Sequence, residues 1–136
     1  MSKRFETKED LERQRKAIDL FCKKFLASYK ELEKWDIDYI VTKDEKICYV
    51  EVKGRNKNIQ DAFPLPVAAR KIVKLCDKKT PAIIIWACYD GLIYANIKDL
   101  ISTGRMGGRD KRKGSSNDQE YMLYFDNQDS FFTINN

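Results

Sequence analysis

The chain contains no histidine, and none of its four cysteines lies close enough in sequence to another to form a Cys-x-x-Cys pair. Histidines and such pairs supply the ligands of most zinc sites, so the usual zinc centres are excluded. Ser-His and Cys-His catalysis are excluded as well. Any catalysis must therefore use carboxylates, lysines and a cation that prefers oxygen ligands. We expect the cysteines to be reduced core residues of an intracellular protein. They are Cys22, Cys48, Cys76 and Cys88.

Long hydrophobic runs are also missing. The longest, residues 82–88, has seven residues, far short of the roughly 18–20 that span a bilayer. The first residues are charged and show no signal-peptide pattern, which again indicates an intracellular protein. The 136 residues contain no repeat and no long linker, so we predict one domain over residues 1–136, since domains cluster near about 100–150 residues.

The net charge of +5 is unevenly distributed. Residues 53–79 carry +6 and residues 104–114 carry +4, so the rest of the chain is negative. Clustered lysines and arginines are what a polyanion-binding face requires. The distribution suggests nucleic acid as a partner, although a solvated basic surface would show the same pattern.

Apolar spacing and turn residues predict an α/β domain. A single apolar stripe predicts a helix over residues 8–33. Alternation predicts a strand hairpin from the next two segments, and Pro66 suits the first turn of a second helix. The continuous apolar run is typical of a central strand covered on both faces. We predict strands at 35–41, 46–53, 82–88 and 92–97, a closing hairpin at 121–125 and 131–134, and a basic flexible loop at 103–118.

Three charged residues of the predicted hairpin carry the chemistry. Glu51 and Lys53 project to one face because side chains alternate along a strand. Asp38 lies 13 residues before Glu51 and starts the inward-facing set of the neighbouring strand, with Asp36 as a flanking group. Two adjacent carboxylates repel each other, and Mg²⁺, which binds one or two carboxylates plus waters and phosphates, relieves that repulsion. A lysine beside them can orient water and stabilise developing negative charge.

The segment Asp38-Tyr39-Ile40-Val41, a polar turn, and then Val50-Glu51-Val52-Lys53 resembles the PD-(D/E)XK nuclease superfamily. The spacing and the strand-turn-strand context are similar to those of small Holliday-junction resolvases and phage-type nucleases, and the resemblance covers roughly residues 8–97. The resemblance implies a restriction-endonuclease-like αβββαβ core, with a central mixed sheet flanked by helices. Two features depart from the pattern: Ile37 stands where the family name has proline, and no separate strand is evident between the first helix and the Asp38 strand.

The resemblance also implies roles for individual residues. Asp38, Glu51 and the Val52 carbonyl would bind Mg²⁺, for which Mn²⁺ could substitute, and Lys53 would position or activate the attacking water. The family commonly adds a glutamate from the first helix; Glu12 matches best, and Glu9 is the alternative. As first-turn acids, both also suit the helix dipole.

Basic residues near the predicted site and in the glycine-rich basic segment are our candidates for DNA binding, since arginine binds phosphate bidentately. They are Arg55, Lys57, Arg70, Lys71, Arg105, Arg109, Lys111 and Arg112.

The expected activity is that of a Mg²⁺-dependent endonuclease acting on branched or duplex DNA in recombination or repair, as a homodimer with no membrane attachment. Two alternatives remain: an end-dependent exonuclease, and a non-catalytic DNA-binding recombination accessory protein. Cleavage of circular DNA would separate an endonuclease from an end-dependent enzyme.

Overall fold

Two α-helices, two short 3-10 helices and nine strands make up the secondary structure of the part that this computed structural model describes, namely residues 7–32, 38–77, 79–101, 103–110 and 119–136. Residues 108–110 and 119–120 are described by their backbone alone. The helices are α1 (Lys8–Phe25) and α2 (Ala69–Cys76). The strands are β1 (Ser28–Glu31), β2 (Tyr39–Lys43), β3 (Lys46–Gly54), β4 (Leu65–Ala68), β5 (Ala82–Cys88), β6 (Gly91–Asn96), β7 (Arg105–Asp110), β8 (Gln119–Phe125) and β9 (Phe132–Asn135).

The strands form a six-stranded sheet in the order β1-β2-β3-β5-β6-β9 and a three-stranded sheet in the order β4-β8-β7. β3 and β5 run parallel and the other neighbours antiparallel, so the larger sheet is mixed. The chain order α1-β1-β2-β3, then α2-β5, is the αβββαβ core with β4 inserted before α2. The α/β fold class is therefore confirmed, and β1 is the strand that the sequence did not reveal.

The prediction of one helix over residues 8–33 was wrong at its end. α1 begins as expected, with a capping box between Thr7 and Asp10, but it ends at Phe25. Leu26 adopts a left-handed conformation (φ 53°), and the Ala27 N–H donates to the Cys22 carbonyl at 2.9 Å. Leucine rarely adopts this conformation. The sequence has no glycine or proline here that would have predicted the end of the helix. Tyr29, which continues the helical stripe, lies instead on β1 opposite Val41.

The second helix starts later than predicted. Pro66 lies in β4, opposite Tyr124 of β8, rather than in a first helical turn. β4 is an edge strand of the smaller sheet. Proline is tolerated at an edge because its missing N–H can lie on the side that has no neighbouring strand. α2 then begins at Ala69, and it buries Ile72 and Leu75 but leaves Val73 exposed.

The predicted central strand, residues 82–88, is confirmed as β5. It lies between β3 and β6 and separates two apolar layers. One face packs with α1 through Ile85 and Ala87. The other carries Trp86, which is fully buried and donates from Nε1 to the Pro66 carbonyl at 2.9 Å. Trp86 therefore joins the two sheets.

Two predictions for the last third of the chain were wrong. Residues 105–110 of the predicted basic loop form β7, paired with β8, while residues 111–118 lie outside the described residues. The predicted closing hairpin does not form, because β8 belongs to the smaller sheet and β9 pairs with β6 in the larger one. Local alternation predicted the strands correctly but could not reveal their partners.

The cysteines follow the predicted environment in part. All four are free thiols, of which Cys22 and Cys88 are buried and Cys76 is exposed. Burial raises the pKa of Cys22 and of Cys88 to about 11, so both thiols stay protonated near neutral pH.

Neither of the two described α-helices is long and apolar enough to cross a membrane.

Candidate active site

The β2-β3 hairpin brings Asp38 beside Glu51. Tyr39 pairs with Val50 at the end of the ladder, so the same register continued by one step places Asp38 opposite Glu51. A side-chain bond fixes this arrangement: the Val52 N–H donates to Asp38 Oδ2 at 2.8 Å. Asp38 therefore lies against the backbone next to Glu51, although it precedes β2 and was predicted to lie on the strand.

Glu51 is the one charged residue that is buried in the described part of the chain, at 4% exposure. A buried carboxylate is costly unless a cation or several donors accompany it. Lys71 of α2 supplies the cation, with Nζ 3.0 Å from Oε2. Glu51 therefore faces the layer that contains α2, while its neighbours Val50 and Val52 pack in the layer of α1.

Lys53 lies two positions after Glu51 on β3 and is half-buried. The alternation of the strand places its side chain on the Glu51 face. β3 is flanked here by β5, with Lys53 opposite Trp86. The three predicted residues of the motif thus meet where β2 begins and β3 ends.

The donors at this position suit a hard divalent cation. Two carboxylates and a main-chain carbonyl offer only oxygen ligands, which Mg²⁺ and Mn²⁺ prefer. Among the described residues, no group of three or more histidine, cysteine, aspartate or glutamate side chains forms a ready-made metal cluster. Asp38, Glu51 and the Val52 carbonyl would thus hold a cation whose other ligands are water and substrate oxygens.

Comparison with known protein families decides the identity. Residues 1–133 match the model of a family described as "Phage putative PDDEXK endonuclease". The chain belongs to this family. No curated protein and no solved structure matches it. Membership of the family assigns a restriction-endonuclease-like fold and, at a coarse level, a nuclease activity with DNA as substrate. PDDEXK nucleases generally use divalent metal ions.

The structure does not bring Glu12 to the Asp38-Glu51 pair of this PDDEXK endonuclease family member. α1 covers the face of Val52, opposite the Glu51 face, and Glu12 is exposed. At about 100° per residue it lies roughly 120° around the helix from the buried Ile18. Glu12 and Glu9 line a cleft together with Cys88, Tyr89 and Gly91. A role for either in catalysis stays a prediction without geometric support.

The basic residues that follow Lys53 differ in their surroundings. Arg55 has a structural role: its Nε donates to the Ala62 carbonyl at 2.8 Å and its guanidinium contacts the Pro64 carbonyl at 3.3 Å. These bonds stabilise the loop after β3 and require no contact with DNA. Lys57 is exposed on the same loop and remains a candidate for phosphate binding.

The other predicted DNA-binding residues separate into three groups. Arg70 is exposed on α2. Arg105 pairs with Asp126 through two bonds of 2.9 and 3.2 Å, on an exposed surface where such a pair contributes little stability. Arg109 lies on β7 by its backbone, while Lys111 and Arg112 fall outside the described residues.

Sequence reasoning assigned Lys71 to DNA and missed its contact with Glu51. A signal was present, because a carboxylate on a buried strand requires a nearby cation. Arg13 was also missed: it contacts Asp10 at 2.8 Å and Asn56, and lies over the Tyr89 ring, 4.9 Å from its centroid. Arg13 ties α1 to the loops after β3 and β5.

Proposed function

We propose that this PDDEXK endonuclease family member is a metal-dependent deoxyribonuclease that cleaves branched DNA, in the manner of a Holliday-junction resolvase. The observation that supports this most is the bond between Asp38 and the Val52 N–H beside the buried Glu51. It is consistent with two carboxylates converging at the ends of two paired strands. A merely structural sheet has no need for that arrangement, because buried charge is costly.

In the proposed mechanism, Asp38, Glu51 and the Val52 carbonyl would hold Mg²⁺, or Mn²⁺ in its place. When bound, such an ion polarises a phosphoryl oxygen and lowers the pKa of a coordinated water. Asp38 keeps its orientation through the Val52 N–H, and the apolar surroundings of Glu51 keep its carboxylate in one position. These two residues therefore determine where the substrate phosphate binds.

Lys53 acts on the nucleophile. Its ammonium lies on the Glu51 face and orients a water for in-line attack on the phosphorus, while its positive charge stabilises the charge that develops on the phosphoryl oxygens. The new bond joins the water oxygen to phosphorus, and the bond from phosphorus to the 3′ oxygen breaks. The attacking water gives one proton to solvent and the 3′ oxygen takes one from solvent, so the products are a 5′-phosphate and a 3′-hydroxyl.

Branched DNA is favoured by the separation of basic sequence into two segments. One, residues 53–79, begins at the site, and the other, residues 104–114, includes β7 in its described part. Two basic segments suit two duplex arms, since phosphate contacts depend on local clusters of lysine and arginine. We further propose a single domain that acts as a homodimer inside the cell, so that two sites cut two strands of a junction.

Cleavage of matched substrates tests this proposal. With Mg²⁺, the protein is expected to nick a labelled four-way junction at paired positions and to cut the linear duplex of the same sequence at least about tenfold more slowly. It should also nick closed circular plasmid, because an endonuclease requires no end. Asp38→Asn is expected to be inactive on every substrate.

Other outcomes would redirect or overturn the proposal. Degradation of linear DNA with no action on circular plasmid would indicate the exonuclease alternative. Equal rates on junction and duplex would contradict the preference for branched DNA. Absence of cleavage of all forms, with DNA binding retained, would favour a non-catalytic accessory protein.

A further inference from the structure

Lys71 occupies a place that helix electrostatics alone does not favour. It lies in the first turn of α2, which contains no acidic residue, although the positive end of the helix dipole favours acids there. Ile72 and Leu75 are buried and fix the rotation of α2. Packing thus directs Lys71 toward β3, and the ion pair with Glu51 offsets its unfavourable position in the helix.

The contact differs from an ordinary surface ion pair. Glu51 is almost fully buried and the Lys71 side chain is 26% exposed, with 3.0 Å between Nζ and Oε2. The carboxylate that would bind the metal therefore already has a positive counter-charge. A divalent cation on Glu51 would repel the ammonium, because two positive charges would then share one buried carboxylate. The partly exposed stem leaves the ammonium able to turn outward.

The charges of the motif and of Lys71 balance when no metal is bound. Asp38 and Glu51 carry two negative charges, and Lys53 and Lys71 carry two positive charges. The set is neutral without a metal and has an excess of two positive charges with one. A DNA phosphate would neutralise part of that excess, and a flexible ammonium released from Glu51 is a natural ligand for a phosphate oxygen.

We propose that Lys71 is a second lysine of the active site: its ammonium balances Glu51 until a divalent cation binds, and then binds a phosphate oxygen of the substrate strand. This inference rests on the proposed metal-dependent nuclease function and extends it. Lys71 competes with the metal in the free protein and favours DNA in the loaded one. Metal and DNA therefore bind cooperatively, because each removes a reason for Lys71 to remain on Glu51.

The affinity for metal in the absence of DNA tests whether Lys71 competes with the metal for Glu51. In calorimetric titrations with MnCl₂, Lys71→Met is expected to bind Mn²⁺ at least about tenfold more tightly than the wild type, because a positive charge beside the ligand is removed. Lys46→Met is the matched control: it removes the same charge from the exposed start of β3 and should stay within about twofold of the wild type. Unchanged or weaker binding by Lys71→Met would overturn the proposal.

The Tm, measured with and without Mn²⁺, tests the proposal even if Lys71→Met is less stable than the wild type. Without metal this variant leaves Glu51 buried and unpaired, so its Tm should fall below that of the wild type. Saturating Mn²⁺ should raise its Tm by more than it raises that of the wild type. Adding Glu51→Gln should restore the metal-free Tm and remove the response to Mn²⁺. A Lys71→Met protein with wild-type Tm values in both buffers would contradict the proposal.

DNA affinity tests the second half, in a Lys53→Ala background that does not consume the substrate. In Mg²⁺, Lys53→Ala/Lys71→Met is expected to bind a labelled junction about fivefold more weakly than Lys53→Ala, with a slope of log affinity against log salt that is smaller by about one. Lys53→Ala/Lys46→Met should match Lys53→Ala. Equal affinity and slope for the Lys71 variant would contradict phosphate binding by Lys71.

These measurements also separate the inference from the function on which it rests. The Mn²⁺ titration and the Tm values require no cleavage. If Lys71→Met binds Mn²⁺ more tightly but the wild type cuts no DNA, the competition stands and the nuclease proposal fails. If the wild type cuts DNA and the Lys71 variant shows wild-type metal affinity, the nuclease stands and the inference fails.

Discussion

Replacing Lys53 by alanine is expected to lower the rate of DNA cleavage by about 10²–10⁴-fold, the usual range for loss of a positioned proton-transfer or charge-stabilising group. Lys53 is half-buried on the Glu51 face of β3, two positions from the buried carboxylate. The effect should fall on kcat rather than KM, because Lys53 acts on the attacking water and the developing charge. Single-turnover cleavage of a labelled junction, at several DNA concentrations, measures it.

Lys46→Ala provides the matched control for this prediction. It removes a lysine from the same strand, at the exposed end far from Glu51, and should leave the cleavage rate unchanged. A Lys53→Ala protein that cuts as fast as the wild type would show that Lys53 is not at the reaction centre. Slow cleavage caused only by weaker DNA binding would assign Lys53 to the substrate surface instead.

Replacing Trp86 by alanine is expected to reduce the free energy of unfolding by about 3–5 kcal/mol, the usual cost of removing a large aromatic side chain from a core. Trp86 is fully buried on β5, and its ring contacts those of Phe125 and Phe131 at centroid distances of 6.5 and 5.8 Å. Its indole N–H also donates to the Pro66 carbonyl. Because a whole domain has only about 5–15 kcal/mol of stability, the variant should approach global unfolding. Urea denaturation measures the loss.

Two further variants make this prediction quantitative. Trp86→Phe keeps an aromatic ring but loses the bond to Pro66, so it should cost less than the alanine variant. Tyr121→Ala, on the exposed side of β8, should change stability by no more than about 0.5 kcal/mol. If the free energy of unfolding of Trp86→Ala is within about 1 kcal/mol of the wild-type value, this residue does not join the two sheets.

The part of the fold nearest the site could be predicted from sequence because its signals are local. The β2-β3 hairpin has alternating residues on both strands and a polar turn, and alternation fixes which face each side chain occupies. The same alternation underlies the prediction that Asp38, Glu51 and Lys53 form one site. The apolar run of β5 likewise predicted a strand covered on both faces.

Other elements depend on tertiary contacts that no local pattern encodes. The spacing of Phe25 and Tyr29 suits a helix, yet Leu26 ends α1 in a left-handed conformation and Tyr29 pairs across β1-β2. Pro66 suits a helix start or an edge strand equally well, and pairing with β8 decides between them. The division of β8 and β9 between two sheets follows from long-range pairing alone.

The candidate site divides in the same way. Glu12 was assigned by analogy with a helix carboxylate; it is exposed on α1, and its role stays a prediction. Lys71 was assigned to DNA because basic residues on a helix surface are ordinary, whereas the rotation of α2 brings it to Glu51. Side-chain alternation along a strand is predictable, while the rotation of a short helix depends on what it packs against.

We propose that Asp38 and Glu51 converge to bind a divalent cation, and anomalous diffraction from crystals grown with Mn²⁺ locates such an ion without requiring cleavage. We expect an anomalous peak between the two carboxylates, within ligand distance of the Val52 carbonyl, that is lost in crystals of Asp38→Asn. Crystals of active protein in which Mn²⁺ binds elsewhere, with neither carboxylate among its ligands, would contradict it.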